Sequence, residues 1–185
     1  MGRYREAHEH LDRAQAALTR LKDAATLAQV DETRARVLIA ERRYRDAERT
    51  LAGALTTLEQ GDESALLADA MTVQGVIWAR LWAFDASVNI LRRAAGIAED
   101  AGALVNAGRA ILTLIEEHGA TKRLPPAEVY EAFQKADRLR KDSQDATTGS
   151  CFWRAPASSC GGSPTPRSTG RTSACTGRCR TSRRS

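Results

Sequence analysis

Apolar residues recur at three- and four-residue steps through most of the first 140 positions, and the stripes they form recur in turn. Tyr44, Ala47, Leu51, Ala54 and Leu58 lie on one face of a helix. The same ranks return at 40-residue offsets. Tyr4, Tyr44 and Phe84 form the first, and Ala7, Ala47 and Ser87 the second. Leu11, Leu51 and Leu91 form the third, and Ala14, Ala54 and Ala94 the fourth. Each rank keeps its size class, which marks a stack of repeats that bury their apolar faces against one another. Such a stack directs the question of function towards binding surfaces.

A second apolar helical segment precedes each stripe. Ala35, Leu38 and Ile39 carry one, Met71, Gly75, Trp78 and Trp82 the next, and Ile111, Leu114 and Ile115 a third. Ala35 and Gly75 are 40 apart, and their small size predicts close helix–helix crossings. Arg42-Arg43, Gly61-Asp62, Ala83 and Gly102 mark short turns, so consecutive helices are expected to pack as antiparallel hairpins. Gly61 and Gly102 are placed to end helices in the left-handed conformation. A further helix over 125–141 carries the stripe Val129, Ala132, Phe133, Ala136 and Leu139. That stripe needs a neighbour, and the last apolar face of the stack is expected to stay exposed and to favour self-association.

These residues resemble the tetratricopeptide repeat family. The resemblance rests on Gly75-x-x-Trp78 with Phe84-Asp85-Ala86-Ser87, and on Ala35-x-x-Leu38 with Tyr44-Arg45-Asp46-Ala47. Tyr4-Arg5-Glu6-Ala7 looks like the second helix of a unit whose first helix is missing. The period of 40 exceeds the usual one of about 34 and looks like the long-helix variety of bacterial regulatory proteins. The stretch from Arg34 to Lys141, with Leu124-Pro125-Pro126-Ala127-Glu128, resembles the sensor portion of bacterial regulators with a C-terminal Fis-type helix-turn-helix, a motif absent here. The resemblance implies an all-α, right-handed superhelical stack of antiparallel hairpins that binds a protein or peptide along its concave side. Carried over residue by residue, the matching positions are Gln29, Glu32 and Arg36, then Asp69, Thr72 and Val76, then Arg109, Leu112 and Glu116.

Composition divides the chain in two. Residues 1–146 hold 21 Lys and Arg against 23 Asp and Glu, whereas residues 147–185 hold seven Arg and no acid. The overall charge of +5 therefore belongs to the tail. The tail also holds all four Cys and no Leu, Ile, Val or Met. Without aliphatic residues it cannot offset its ordering entropy, so 1–145 is expected to fold and 146–185 to be a disordered basic tail. Its Arg, Ser, Thr, Pro, Gly and Cys match what a GC-rich gene encodes out of frame, and the tail is read as a frameshift product.

The chemistry-bearing residues read as structural. His8 and His10 point about 160–200° apart on a helix and cannot share a metal. They and His118, just before Gly119, read as surface or capping histidines. Cys151, Cys160, Cys175 and Cys179 offer one short spacing only, and read as incidental thiols rather than a zinc site. Trp78 and Trp82 read as core or inter-repeat residues. There is no phosphate loop, nucleophile elbow or clustered catalytic acid, so neither enzyme nor cofactor is expected. The tail arginines allow only weak, salt-sensitive contact with nucleic acid. No segment resembles a signal peptide, and no apolar run approaches the roughly 20 residues of a membrane span, which leads to the expectation of a cytoplasmic protein.

The expected function is an interaction module within a regulator. Binding of nucleic acid through the tail, or a truncated remnant with no function of its own, are the alternatives. The frameshift reading makes one prediction. A second reading frame, entered near the codons for Asp142 to Thr148, encodes Leu- and Ala-rich helical text followed by a helix-turn-helix. Sequencing the gene checks this, and stop codons in every other frame there would refute it.

Overall fold

The structure is a computed structural model that describes residues 3–119 and 123–143. Everything expected of the tail beyond them, including its disorder, its thiols and its contact with nucleic acid, lies outside the described residues. The described residues form seven helices and no strand. They are α1 (Tyr4–Leu21), α2 (Ala24–Ala40), α3 (Tyr44–Glu59), α4 (Ser64–Arg80), α5 (Phe84–Asp100), α6 (Leu104–His118) and α7 (Pro126–Asp142). Each helix packs on the next in sequence. The fold is all-α, as the periodicity requires.

Four of the turns share one geometry. Lys22, Arg42, Trp82 and Gly102 have positive φ, between 55° and 69°. After α2, Arg43 N–H reaches back to Leu38 O and Arg42 N–H to Ile39 O, both at 2.9 Å. Ala83 to Trp78 and Ala103 to Ala98 repeat the longer bond after α4 and α5. These are Schellman closures, which satisfy carbonyls that a helix end otherwise leaves unpaired. The four residues are separated by multiples of 20, the length of one helix and its turn. The expectation for Gly61 is corrected, because Gly102 is the one glycine with positive φ among the described residues. The α3–α4 connection is longer, running Gln60 to Glu63, and reverses the chain without a left-handed residue.

The helices form two rows. Helices α2, α4 and α6 touch one another, whereas α1, α3, α5 and α7 make no comparable contact among themselves. The stack is therefore tighter along the first row. Helix α4 sits between α3 and α5 and against both α2 and α6, and is buried on nearly every side. Its sequence matches, since between Ser64 and Arg80 only Asp69 interrupts a run without charge. Helix α1 has one packed neighbour, α2, and none of its residues is fully buried.

One close crossing holds each of two successive units. In the first, Ala35 of α2 and Ala47 of α3 are wholly buried. In the second, 40 residues on, Gly75 of α4 and Ser87 of α5 take the same ranks. A Cβ on Gly75 would lie 2.5 Å from Leu91 Cγ, so the two helices approach too closely for any side chain there. The Ser87 hydroxyl uses that approach and donates to Gly75 O at 2.7 Å.

The expectation for the final stripe is corrected in part. Ala132, Ala136 and Leu139 pack into one cluster with Ala110 and Ile111 of α6, and Val129 joins Leu91, Leu114 and Leu124 in another. The α7 stripe thus finds its neighbour in the core it follows. Tyr130 and Phe133 are what α7 leaves at the surface, 65% and 40% exposed.

Two glycine substitutions should move stability in opposite directions. Gly75→Ala forces a Cβ against a buried leucine and should cost about 1–3 kcal/mol, lowering the melting temperature. Gly53 has nothing within 4 Å of a built Cβ, so Gly53→Ala should gain about 0.5–1 kcal/mol of helix propensity. Thermal melts of the two variants in parallel decide this, and equal shifts would mean that the α4–α5 crossing relaxes freely.

Candidate partner-binding surface

The nine expected contact residues fall on α2, α4 and α6, the row in which helices touch one another. On α2, Gln29 and Arg36 are exposed, and Arg36 Nε donates to Glu32 Oε1 one turn earlier. On α4 and α6, Asp69 and Arg109 join in an ion pair at 3.1 Å. These two residues are 40 apart, so the pair ties equivalent positions of successive units. Asn106 Nδ2 makes a second tie, donating to Ala65 O at 3.0 Å. Glu116 is exposed, while Val76 and Leu112 are half-buried. Thr72 is buried, and its hydroxyl donates to Ala68 O at 2.8 Å. Flanked by helices on both sides, α4 offers no open surface at that position, so Thr72 presents nothing to a partner.

The surface that results is mixed in charge. Each exposed cation has a carboxylate beside it, Arg36 with Glu32 and Arg109 with Asp69. Pairs exposed to this degree contribute no more than about 1 kcal/mol each, so they are readily exchanged for the charges of an incoming chain. The same row leaves Val76 and Leu112 partly open for apolar contact.

Two residues, His118 and Trp82, are placed differently from their sequence-based expectation. His118 is 0% exposed, not a surface or capping residue. It lies four residues on from Leu114 and seven from Ile111, on the core face of α6, and that step was the signal in the sequence. Its Nε2 lies 2.9 Å from Ser87 Oγ. Because the Ser87 proton goes to Gly75 O, His118 Nε2–H is the donor, and the neutral ring is the Nε2–H tautomer. Phe84 meets the imidazole edge-on, and Arg123 stands 3.5 Å over the Phe84 ring. Burial first, and the Arg123 charge second, hold the His118 pKa below the usual imidazole range.

The tryptophans part company. Trp78 is half-buried and its indole N–H donates to Glu48 Oε1 at 3.0 Å. Trp82 is 79% exposed, because it occupies the left-handed turn after α4 and its side chain leaves the helix face. Its equivalent 40 residues earlier is Arg42, a surface residue whose identity already pointed outward. His10 is exposed, and His8 is half-buried with Nε2 3.2 Å from Glu41 Oε1. Among the described residues, no helix is long and apolar enough to cross a membrane.

The buried imidazole makes stability depend on pH in one direction. The folded chain takes up the His118 proton at lower pH than the unfolded chain, which does so below about pH 6.5. The unfolded state then binds more protons, so stability rises with pH and is lost as pH falls below that value. The loss is at most about 1.4 kcal/mol per pH unit. Urea midpoints measured between about pH 7.5 and about pH 5.5 should fall for the parent chain and fall less for His118→Gln. Equal slopes would place the dependence on other groups.

The chain was compared with protein-family models, with curated proteins and with solved structures, and nothing in any of the three matches it.

Proposed function

We propose that the helical repeats form a protein-interaction module, taking an extended peptide or a partner helix along the α2–α4–α6 row. One observation carries this reading. The row presents charged side chains at equivalent positions of successive units, and Asp69 with Arg109 bridges two of those units. A stack of this kind is tighter on its inner side, and a concave repeat surface of alternating charge and partly open apolar groups suits a chain laid across several units. The tetratricopeptide likeness of Gly75-x-x-Trp78 and Ala35-x-x-Leu38 supports the same reading. The module is proposed to serve as the sensor or assembly part of a bacterial cytoplasmic regulator, with binding and not catalysis as its task.

A displayed peptide library selected on the parent chain tests the proposal. The double variant Arg36→Glu with Arg109→Glu should lose about tenfold or more in affinity for the selected peptides, a difference of about 1.4 kcal/mol. Its helical circular dichroism should be unchanged, because both side chains are exposed and contribute little to the fold. Selected peptides that bind the double variant as tightly as the parent would locate the binding surface elsewhere.

A further inference from the structure

The groove between α1 and α3, floored by α2, is open, whereas at the equivalent place in the next unit a larger side chain is bonded across to α3. That side chain is Trp78 of α4, which bonds Glu48 of α3 at 3.0 Å. Forty residues earlier the same two ranks are Leu38 and His8. The smaller pair leaves a cavity of about 400 Å³. This is within the range of small-molecule sites and small for a folded partner.

The walls change character together with the size. Arg34, Arg43, Asp46 and Arg49 line the cavity. Their equivalents in the next unit are Gln74, Ala83, Ala86 and Asn89, none of them charged. Three arginines thus enter one groove where the repeat does not require them. Asp46 holds two of them together, with Arg43 Nε at 2.8 Å from Oδ2 and Arg49 Nη2 at 2.5 Å from Oδ1. Arg43 also reaches Glu41, and Arg49 its own Arg45 carbonyl, so two N–H groups of each guanidinium are engaged. A guanidinium carries five such donors. Arg34 is the fixed one, its side chain only 16% exposed, with Gln15 and Asp12 as partners. Asp12 is 67% exposed, so that carboxylate is easily displaced.

The carboxylates Asp12, Glu41 and Asp46 balance the three guanidiniums, so the groove attracts by geometry and not by net charge. A fork of planar donors suits a tetrahedral oxyanion, and arginine is the residue best shaped for it. We infer that this groove is a binding site for a small phosphate-bearing molecule, its phosphate taking the N–H groups of Arg43 and Arg49 that Asp46 leaves unused and displacing Asp12 from Arg34. The site shares α2 with the α2–α4–α6 row but uses Arg34 and Leu38 in place of Gln29, Glu32 and Arg36, and it does not depend on the function proposed for that row.

Calorimetric titration of the full chain with inorganic phosphate, pyrophosphate and glycerol phosphate, at constant ionic strength, tests the inference. Saturable binding is expected, with a matching rise in melting temperature. Preference for glycerol phosphate identifies an organic phosphate ester as the natural class, preference for pyrophosphate identifies a diphosphate group, and equal binding of inorganic phosphate identifies the free anion. Leu38→Trp places the residue of the next unit in this groove and should weaken binding at least tenfold. Arg49→Gln changes an exposed side chain that the fold does not need, and should do the same even where Leu38→Trp fails to fold. No saturable binding by the parent chain overturns the site. Binding that Arg49→Gln and Arg34→Gln both leave intact also overturns it, since the anion would then sit elsewhere, as on the basic residues beyond 146.

Discussion

The approach of α5 to α4 at Gly75 constrains more of this structure than any other contact. Leu91, wholly buried, occupies the space where a side chain on Gly75 would stand. That approach opens the Gly75 carbonyl to Ser87, and Ser87 in turn accepts from His118 of α6. Three helices from two units are thereby joined by one short chain of buried hydrogen bonds. Buried polar groups of this kind are costly unless each has its partner, so the geometry of the crossing and the satisfaction of the bonds depend on each other. The first unit solves the same crossing with Ala35 against Ala47 and needs no polar group.

Around this centre the burial is repetitive and the surface is not. Leu51 and Leu91 are wholly buried, and so are Ala47 and Ala94 or nearly so Ala54, which fixes the spacing of the units. Charge pairs then decorate the frame. Arg80 with Glu117, Lys135 with Glu99 and Arg109 with Asp69 all link helices that apolar contact has already placed. At their exposure such pairs add little stability, and their value lies in setting which charges a surface presents. A repeat frame tolerates this freedom because each unit contacts only its neighbours.

The two grooves show how far equivalent positions can diverge on one frame. Replacing Trp78 by Leu38 at the same rank empties a volume, and the polar ranks around it change from neutral to arginine-rich. Both units keep a wholly buried leucine at the same rank, Leu51 in one and Leu91 in the next.

The sequence by itself determined the all-α class, the helix pairs and the ranks of the core, because period and residue size are properties that a helix converts directly into a face. Ala35, Ala47, Leu51 and Ala54 were legible in this way, and so was the row on which Asp69 and Arg109 lie. His118 was legible only in part. Its four-residue step from Leu114 set its direction, but a polar residue is buried only where a partner awaits it, and Ser87 lies 31 positions away. Trp82 failed for the opposite reason, since its apolar ring suggested the core while the left-handed turn carried it out. The Asp69–Arg109 pair, the burial of Thr72 and the cavity beside Leu38 were decided by tertiary structure alone. Each depends on how far apart two helices stand, and that distance is set by the combined bulk of residues from several units, which no local pattern encodes.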